Sequence, residues 1–145
     1  MDIVIEKKFF SELNDDLRSI RNKVFVDEQG FQDEFDNVYL DQISVHLLVY
    51  IDGIAVATGR LFQKEPGSDV YMIGRVAVLP DYRNHHVGSL VLSILEEKAQ
   101  EIGATSVELC SQCRVQGFYV KNGYKVIGDI YLDGDCPHIR MEKVI

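Results

Sequence analysis

The segment Arg83-Asn-His-His-Val-Gly88-Ser89 joins an apolar run, Gly74 to Leu79, to a long helical pattern that begins at Val87. A strand that feeds a helix through a short turn aims the helix N-terminus at whatever lies beyond the strand. The first turn of a helix carries unpaired N–H groups and a partial positive charge, and an arginine beside it adds a full one. That combination suits a phosphate or pyrophosphate. His85 and His86 lie at the same turn, where a ring N–H can bond a phosphate oxygen or simply face solvent.

Three other groupings could do chemistry. Cys110-x-x-Cys113 together with Cys136-Pro-His138 has the donor types of a tetrahedral zinc site. The first pair straddles the end of a strand pattern, where alternate side chains diverge, and a domain with this core does not need a metal to fold, so no metal is expected. Glu28, Glu34, Asp36 and Asp41 form an acidic run that is either a solvated loop or one side of a site for a cationic group. His46 and His138 sit in strand patterns; each is a base titrating near neutrality or a buried ring bridging backbone groups.

The elements that must position these residues can be read from periodicity and turn chemistry. Ile3 to Phe9 alternates like an edge strand, and Leu13, Leu17, Ile20 and Val24 recur at helical spacing until Gln29-Gly30. Residues 31–44 are acidic and irregular, a short helix or a loop. Val45 to Ile51, the hairpin-forming pair Asp52-Gly53, Ile54 to Phe62, a turn at Pro66-Gly67, and Val70 to Leu79 predict three antiparallel strands. The helix from Val87 to Ile102 places Leu90, Val91, Ile94, Leu95 and Ala99 on one face and ends at Gly103. Thr105 to Leu109 reads as a strand and Val115 to Lys121 as a short helix. Tyr124 to Leu132 and Pro137 to Val144 read as a closing strand pair around Asp133-Gly134.

With 145 residues, 46% of them hydrophobic, the chain fits a single domain spanning 1–145. A formal charge of −8 disfavours nucleic acid, which requires a basic face, and suits cationic amines better. No apolar run approaches a membrane span and the Met-Asp start lacks the features of a signal peptide, so a cytoplasmic protein without membrane attachment is expected. Three cysteines do not make a disulfide framework and are expected to be reduced thiols.

Arg83, Val87 and Gly88 resemble the Arg/Gln-x-x-Gly-x-Gly/Ala turn with which the GNAT superfamily of N-acetyltransferases wraps the pyrophosphate of acetyl-CoA. Asn84 and His86 stand where such loops commonly carry glycine; asparagine tolerates left-handed geometry, so His86 is the position expected to tighten or distort the loop. Further matches are Arg21-x-x-Val-Phe-Val-x-Glu28-Gln-Gly, Asp36, Asp41, His46, Gln112, Gln116-Gly-Phe-Tyr119-x-x-x-Gly-Tyr124 and Pro137-His138-Ile-x-Met141. Together they are similar to the small bacterial ElaA-like branch, which tolerates a non-glycine at the His86 position.

The resemblance implies an α+β GNAT fold: a central mixed, mostly antiparallel sheet of about seven strands with about four helices, in the order βαα-βββ-αβ-αββ. It implies acetyl-CoA as co-substrate, held by Val76, Ala77, Val78, Arg83, Asn84, His85, His86, Val87, Gly88, Ser89 and Gln112, with the N–H groups of Val76 and Val78 serving the pantetheine arm and thioester. Tyr119 falls where the family places a tyrosine near the CoA sulfur, and a phenol of pKa about 10 can protonate a thiolate whose conjugate acid lies near 8.5. Aromatic packing is the other account of Phe118-Tyr119. The acidic segment would form a wall of the acceptor site, with Glu28 as its catalytic candidate. The implied acceptor is a small-molecule or peptide amine; a homodimer stays open, because many family members are dimers. Two other readings stay open at this level: a non-catalytic acyl-CoA sensor of the same fold, and a zinc-dependent interaction domain.

Overall fold

The computed structural model describes residues 3–145. Seven strands, β1 Ile5–Phe10, β2 Val45–Ile51, β3 Ile54–Gln63, β4 Val70–Val78, β5 Ser106–Gln112, β6 Lys125–Asp133 and β7 Cys136–Val144, form one sheet in the order β1-β2-β3-β4-β5-β7-β6. All neighbours are antiparallel except β4 and β5. The helices are α1 Asp15–Arg21, α2 Val38–Ile43, α3 Val87–Glu101 and α4 Gln116–Lys121. This is the expected mixed α+β arrangement, with β1 at an edge.

Local chemistry explains most of these boundaries. Asn14 caps α1 by accepting from the Leu17 N–H at 2.8 Å, and Asn37 caps α2 through the Leu40 N–H at 3.1 Å. Asp52 and Gly53 both take positive φ, 50° and 82°, as the tight turn between β2 and β3 requires. α1 does not run on as one regular helix. From Asn22 to Glu28 the coil widens to a π-helix, whose Gln29 N–H reaches back to the Val24 carbonyl at 3.2 Å. Within the irregular acidic segment only α2 is helical.

The alternation along β2 sorts the core onto two faces of the sheet. Leu47 and Val49 pack with Val91, Leu92, Leu95 and Ala99 of α3, whereas Leu48 packs with Leu17, Ile20, Val24 and Phe25. α3 lies unusually close to the sheet at Gly59, where an added Cβ would sit 2.7 Å from Leu95 Cδ1.

One irregularity positions everything that follows. Thr58 pairs with Ala77 and Arg60 with Gly74, so Arg75 and Val76 together oppose Gly59 in a β-bulge, and Arg75 takes φ 51°. β4 and β5 pair only from Val70 to Met72 against Ser106 to Glu108. Beyond that point the two parallel strands part.

Candidate functional site

The parting of β4 and β5 opens a cleft of about 890 Å³, lined by the end of β4, the turn into α3, the end of β5, α4 and the π-helical segment. Val76, Ala77, Val78, Arg83, Asn84, His86, Val87, Gly88, Ser89, Gln112, Glu28 and Tyr119 all line it. His85 does not: it is exposed and off the cleft, a correction to its expected phosphate contact, because consecutive residues of the turn point different ways. The Leu79 N–H bonds the Val56 carbonyl of β3 at 2.9 Å. Since N–H direction alternates along a strand, those of Val78 and Val76 point away from β3 and into the opening.

The turn into α3 keeps a glycine-like backbone without glycine. Asn84 and His86 take φ 65° and 62°, so His86 does not distort the loop as its type suggested; it adopts the left-handed conformation instead. A side chain held there costs on the order of 1–2 kcal/mol. His86 gives α3 no side-chain cap, and the first backbone bond of the helix is Leu90 N–H to the His86 carbonyl at 3.0 Å. The Val87, Gly88 and Ser89 amides are therefore the free donors of the first turn. Gly88 serves packing rather than φ: an added Cβ would lie 2.9 Å from Phe118 Cζ.

Arg83 is already engaged. Its Nε donates to the Val78 carbonyl at 3.0 Å, and its two terminal nitrogens clasp the Glu28 carboxylate at 2.7 and 2.6 Å. Glu28 thus stands on the guanidinium expected to meet phosphate, rather than at the acceptor wall assigned to it as a catalytic group. The hydrogen bond from Arg83 outweighs the opposing effect of partial burial and holds the Glu28 carboxyl below its ordinary value, which weakens it as a base. Gln112 donates to Gln29 Oε1 at 2.8 Å and accepts from Arg114 Nε at 2.9 Å, tying the end of β5 to the same rim.

Tyr119 stacks edge-on against Phe118 and Tyr124, with centroids 5.0 and 6.0 Å away. Burial pushes its pKa up to about 12. The phenol stays protonated near neutrality but is a weaker acid than a free tyrosine. Complete proton transfer to a thiolate near 8.5 would be uphill by about 5 kcal/mol, so hydrogen-bond donation to a developing sulfur anion suits this group better.

The two strand histidines part company. His46 is buried with Nε2 2.8 Å from the Asp41 carbonyl, and desolvation lowers its pKa. It is structural and off the cleft. His138 lines the cleft and its Nδ1 lies 2.9 Å from the Cys136 carbonyl. A carbonyl can only accept, so Nδ1 donates to it, and in the neutral ring Nε2 is then the accepting nitrogen. Cys110, Cys113 and Cys136 are free thiols, and among the described residues no cluster of three or more His, Cys, Asp or Glu is placed to hold a metal ion.

The acidic segment is also corrected. Asp36 is exposed and off the cleft, whereas Glu34 and Asp41 are buried by ion pairing. Arg21, 1% exposed, donates from Nε to Glu34 Oε2 at 2.6 Å and from both terminal nitrogens to Asp41 at 2.8 and 3.2 Å. Arg60 adds a bond to Asp41 at 3.0 Å and Arg75 one to Glu34 at 2.9 Å. Arg21 lies one turn after Leu17 and one before Val24, on the apolar face of its helix. A charge at such a position signals a buried ion pair, and that signal was available in the sequence.

Comparison with known proteins places these features in a family. Residues 7–124 match the model of the acetyltransferase (GNAT) family. The chain is 33% identical over 125 residues to the uncharacterized N-acetyltransferase YjcF of Bacillus subtilis, covering 86% of this chain and 87% of that protein. It is 30% identical over 132 residues to the protein ElaA of Escherichia coli, covering 89% and 86%. The crystal structure of that ElaA superposes with a TM-score of 0.81 over 97% of this chain and 99% of the other, at 28% identity. A putative N-acetyltransferase from Lactobacillus plantarum superposes with a TM-score of 0.86 over 97% of each chain, also at 28% identity.

Proposed function

We propose, for a chain that belongs to the GNAT family of acetyltransferases, that it transfers an acetyl group from acetyl-CoA to a primary amine by direct attack, without a covalent enzyme intermediate. The observation that carries this reading is the shape of the β4/β5 opening: one cleft brings together the Val76 and Val78 N–H groups, the free first turn of α3, and the Tyr119 hydroxyl. The residues fit the co-substrate. Free amides at Val87, Gly88 and Ser89 and the guanidinium of Arg83 suit a pyrophosphate, and the outward N–H groups of β4 suit an extended amide-bearing arm and the thioester carbonyl.

Each residue then has a defined task. The first turn of α3 and Arg83 hold the phosphates, with Arg83 exchanging its Glu28 partner for them. The parting of β4 from β5 leaves the outward Val76 N–H without a strand partner, so this donor is free for the carbonyl oxygen as it gains negative charge. His138 Nε2 takes a proton from the attacking nitrogen, directly or through water. Tyr119 donates to the departing sulfur. Overall the nitrogen gives up one proton and the sulfur gains one, the C–S bond breaks and a C–N bond forms. Assaying free thiol released from acetyl-CoA across polyamines, amino sugars, amino acids and peptides tests the reading; thiol release with a matching acetylated product is expected, and binding without release from any amine would leave a sensor.

A further inference from the structure

We infer that the acceptor amine also bears a carboxylate, which Arg75 receives; this rests on the acetyltransferase reading and concerns the acceptor end of the same cleft. The buried ion network under that end has an excess cation. Arg21, Arg60 and Arg75 face Glu34 and Asp41, which leaves one positive charge unmatched among these groups. Burial and the charge of Arg75 press the Arg60 pKa down to about 10, and its Nε, on a residue 5% exposed, is the buried polar side-chain atom without a partner among the described residues.

Arg75 is the member of the network that can reach a ligand. Its side chain is 32% exposed and lines the cleft, while those of Arg21 and Arg60 are sealed. Only its Nε is bonded within the described residues, to Glu34 at 2.9 Å. Both terminal nitrogens remain available, and the guanidinium carbon lies 5.9 Å from the centroid of the Phe25 ring, which restricts its orientation. The bulge fixes the backbone at the same residue, with φ 51°. A planar fork of two free donors carrying a single surplus charge matches a carboxylate, which is planar and monoanionic; a phosphate dianion would overshoot the charge. Asp33 and Asp133 line the same cleft, so the cleft presents both signs to a molecule that carries both.

The test compares matched pairs. Amino acids and short peptides are assayed with acetyl-CoA beside their own carboxamides, using the wild-type protein and Arg75→Gln. The wild type is expected to favour the carboxylate member of its preferred pair by roughly tenfold to a hundredfold in kcat/KM, mostly through KM. Arg75→Gln should bring that ratio close to one. Equal use of both members, or preference for amines without a carboxylate, overturns the inference and leaves the acetyltransferase reading standing. Titration of the Arg75 Nε–H NMR signal with glycine and glycinamide works without turnover: a shift with glycine alone supports the site even if no amine is acetylated, and no shift with either overturns it.

Discussion

On the proposed reading Glu28 and phosphate compete for one guanidinium, and the size of that competition can be worked out from the pair. The clasp is bidentate at 2.6 and 2.7 Å, but its side chains are 37% and 40% exposed, so solvent screens it. Exposed pairs of this kind are worth about 0.2–1 kcal/mol. Releasing Arg83 by Glu28→Gln should therefore tighten CoA binding by only about 1.4-fold to 5-fold. Arg83→Ala removes the phosphate contact itself, a charge-assisted bond worth about 1.5–3 kcal/mol, and should weaken binding by about tenfold or more. Calorimetric titration of CoA into the wild type, both single variants and the double variant separates the two effects. In the Arg83→Ala background, Glu28→Gln should change Kd much less than it does in the wild type. Equal tightening in both backgrounds would mean that Glu28 acts only through its field on the phosphates. Weaker CoA binding by Glu28→Gln alone would refute the exchange.

Tyr119→Phe should lower kcat by roughly tenfold to a hundredfold with little change in CoA affinity, the worth of one hydrogen bond to a developing anion; near-normal turnover would remove Tyr119 from the chemistry. Gly88→Ala should weaken CoA binding and lower Tm, because the new methyl meets Phe118 at 2.9 Å and pushes it from the turn, and an unchanged Tm with unchanged affinity would contradict that packing. Burial disfavours the Asp41 carboxylate, but hydrogen bonds from Arg21 and Arg60 outweigh it and hold the carboxyl below its ordinary value. Its stabilising contribution is present above the unfolded pKa near 4 and is lost as pH falls through the lower folded value. Acid unfolding curves of the wild type should therefore steepen below pH about 4 relative to Asp41→Asn, which starts less stable and lacks that dependence.

Much of the frame was legible because its signals are local. Val45 to Ile51 is the exact extent of β2, Asp52-Gly53 makes its turn, and Gly103, with φ 103°, follows α3 where a C-terminal glycine was expected. The turn into α3 was legible for the same reason, since Arg83 and a helix start are adjacent in the chain. What was not legible depends on pairing across the sheet. A bulge at Arg75 leaves no mark in an apolar run, because the missing pairing partner lies on β3. That Glu34 and Asp41 are buried by ion pairing, rather than solvated or facing a cationic ligand, was not legible, since their arginines sit on α1, β3 and β4. The Glu28 clasp joins residues 55 positions apart, and the choice of His138 over His46 as the ring facing the cleft depends on which strands part.

Rapid mixing with acetyl-CoA labelled in its acetyl group, followed by quenching and separation of protein from small molecules, tests the central claim most directly. With an amino-carboxylate acceptor present, the label should pass in one phase from CoA to a small-molecule amide and never to the protein. Label on the protein, at the cleft-lining Cys110 above all, would contradict direct attack, and label found only in acetyl-CoA or free acetate would contradict acetyl transfer to an amine.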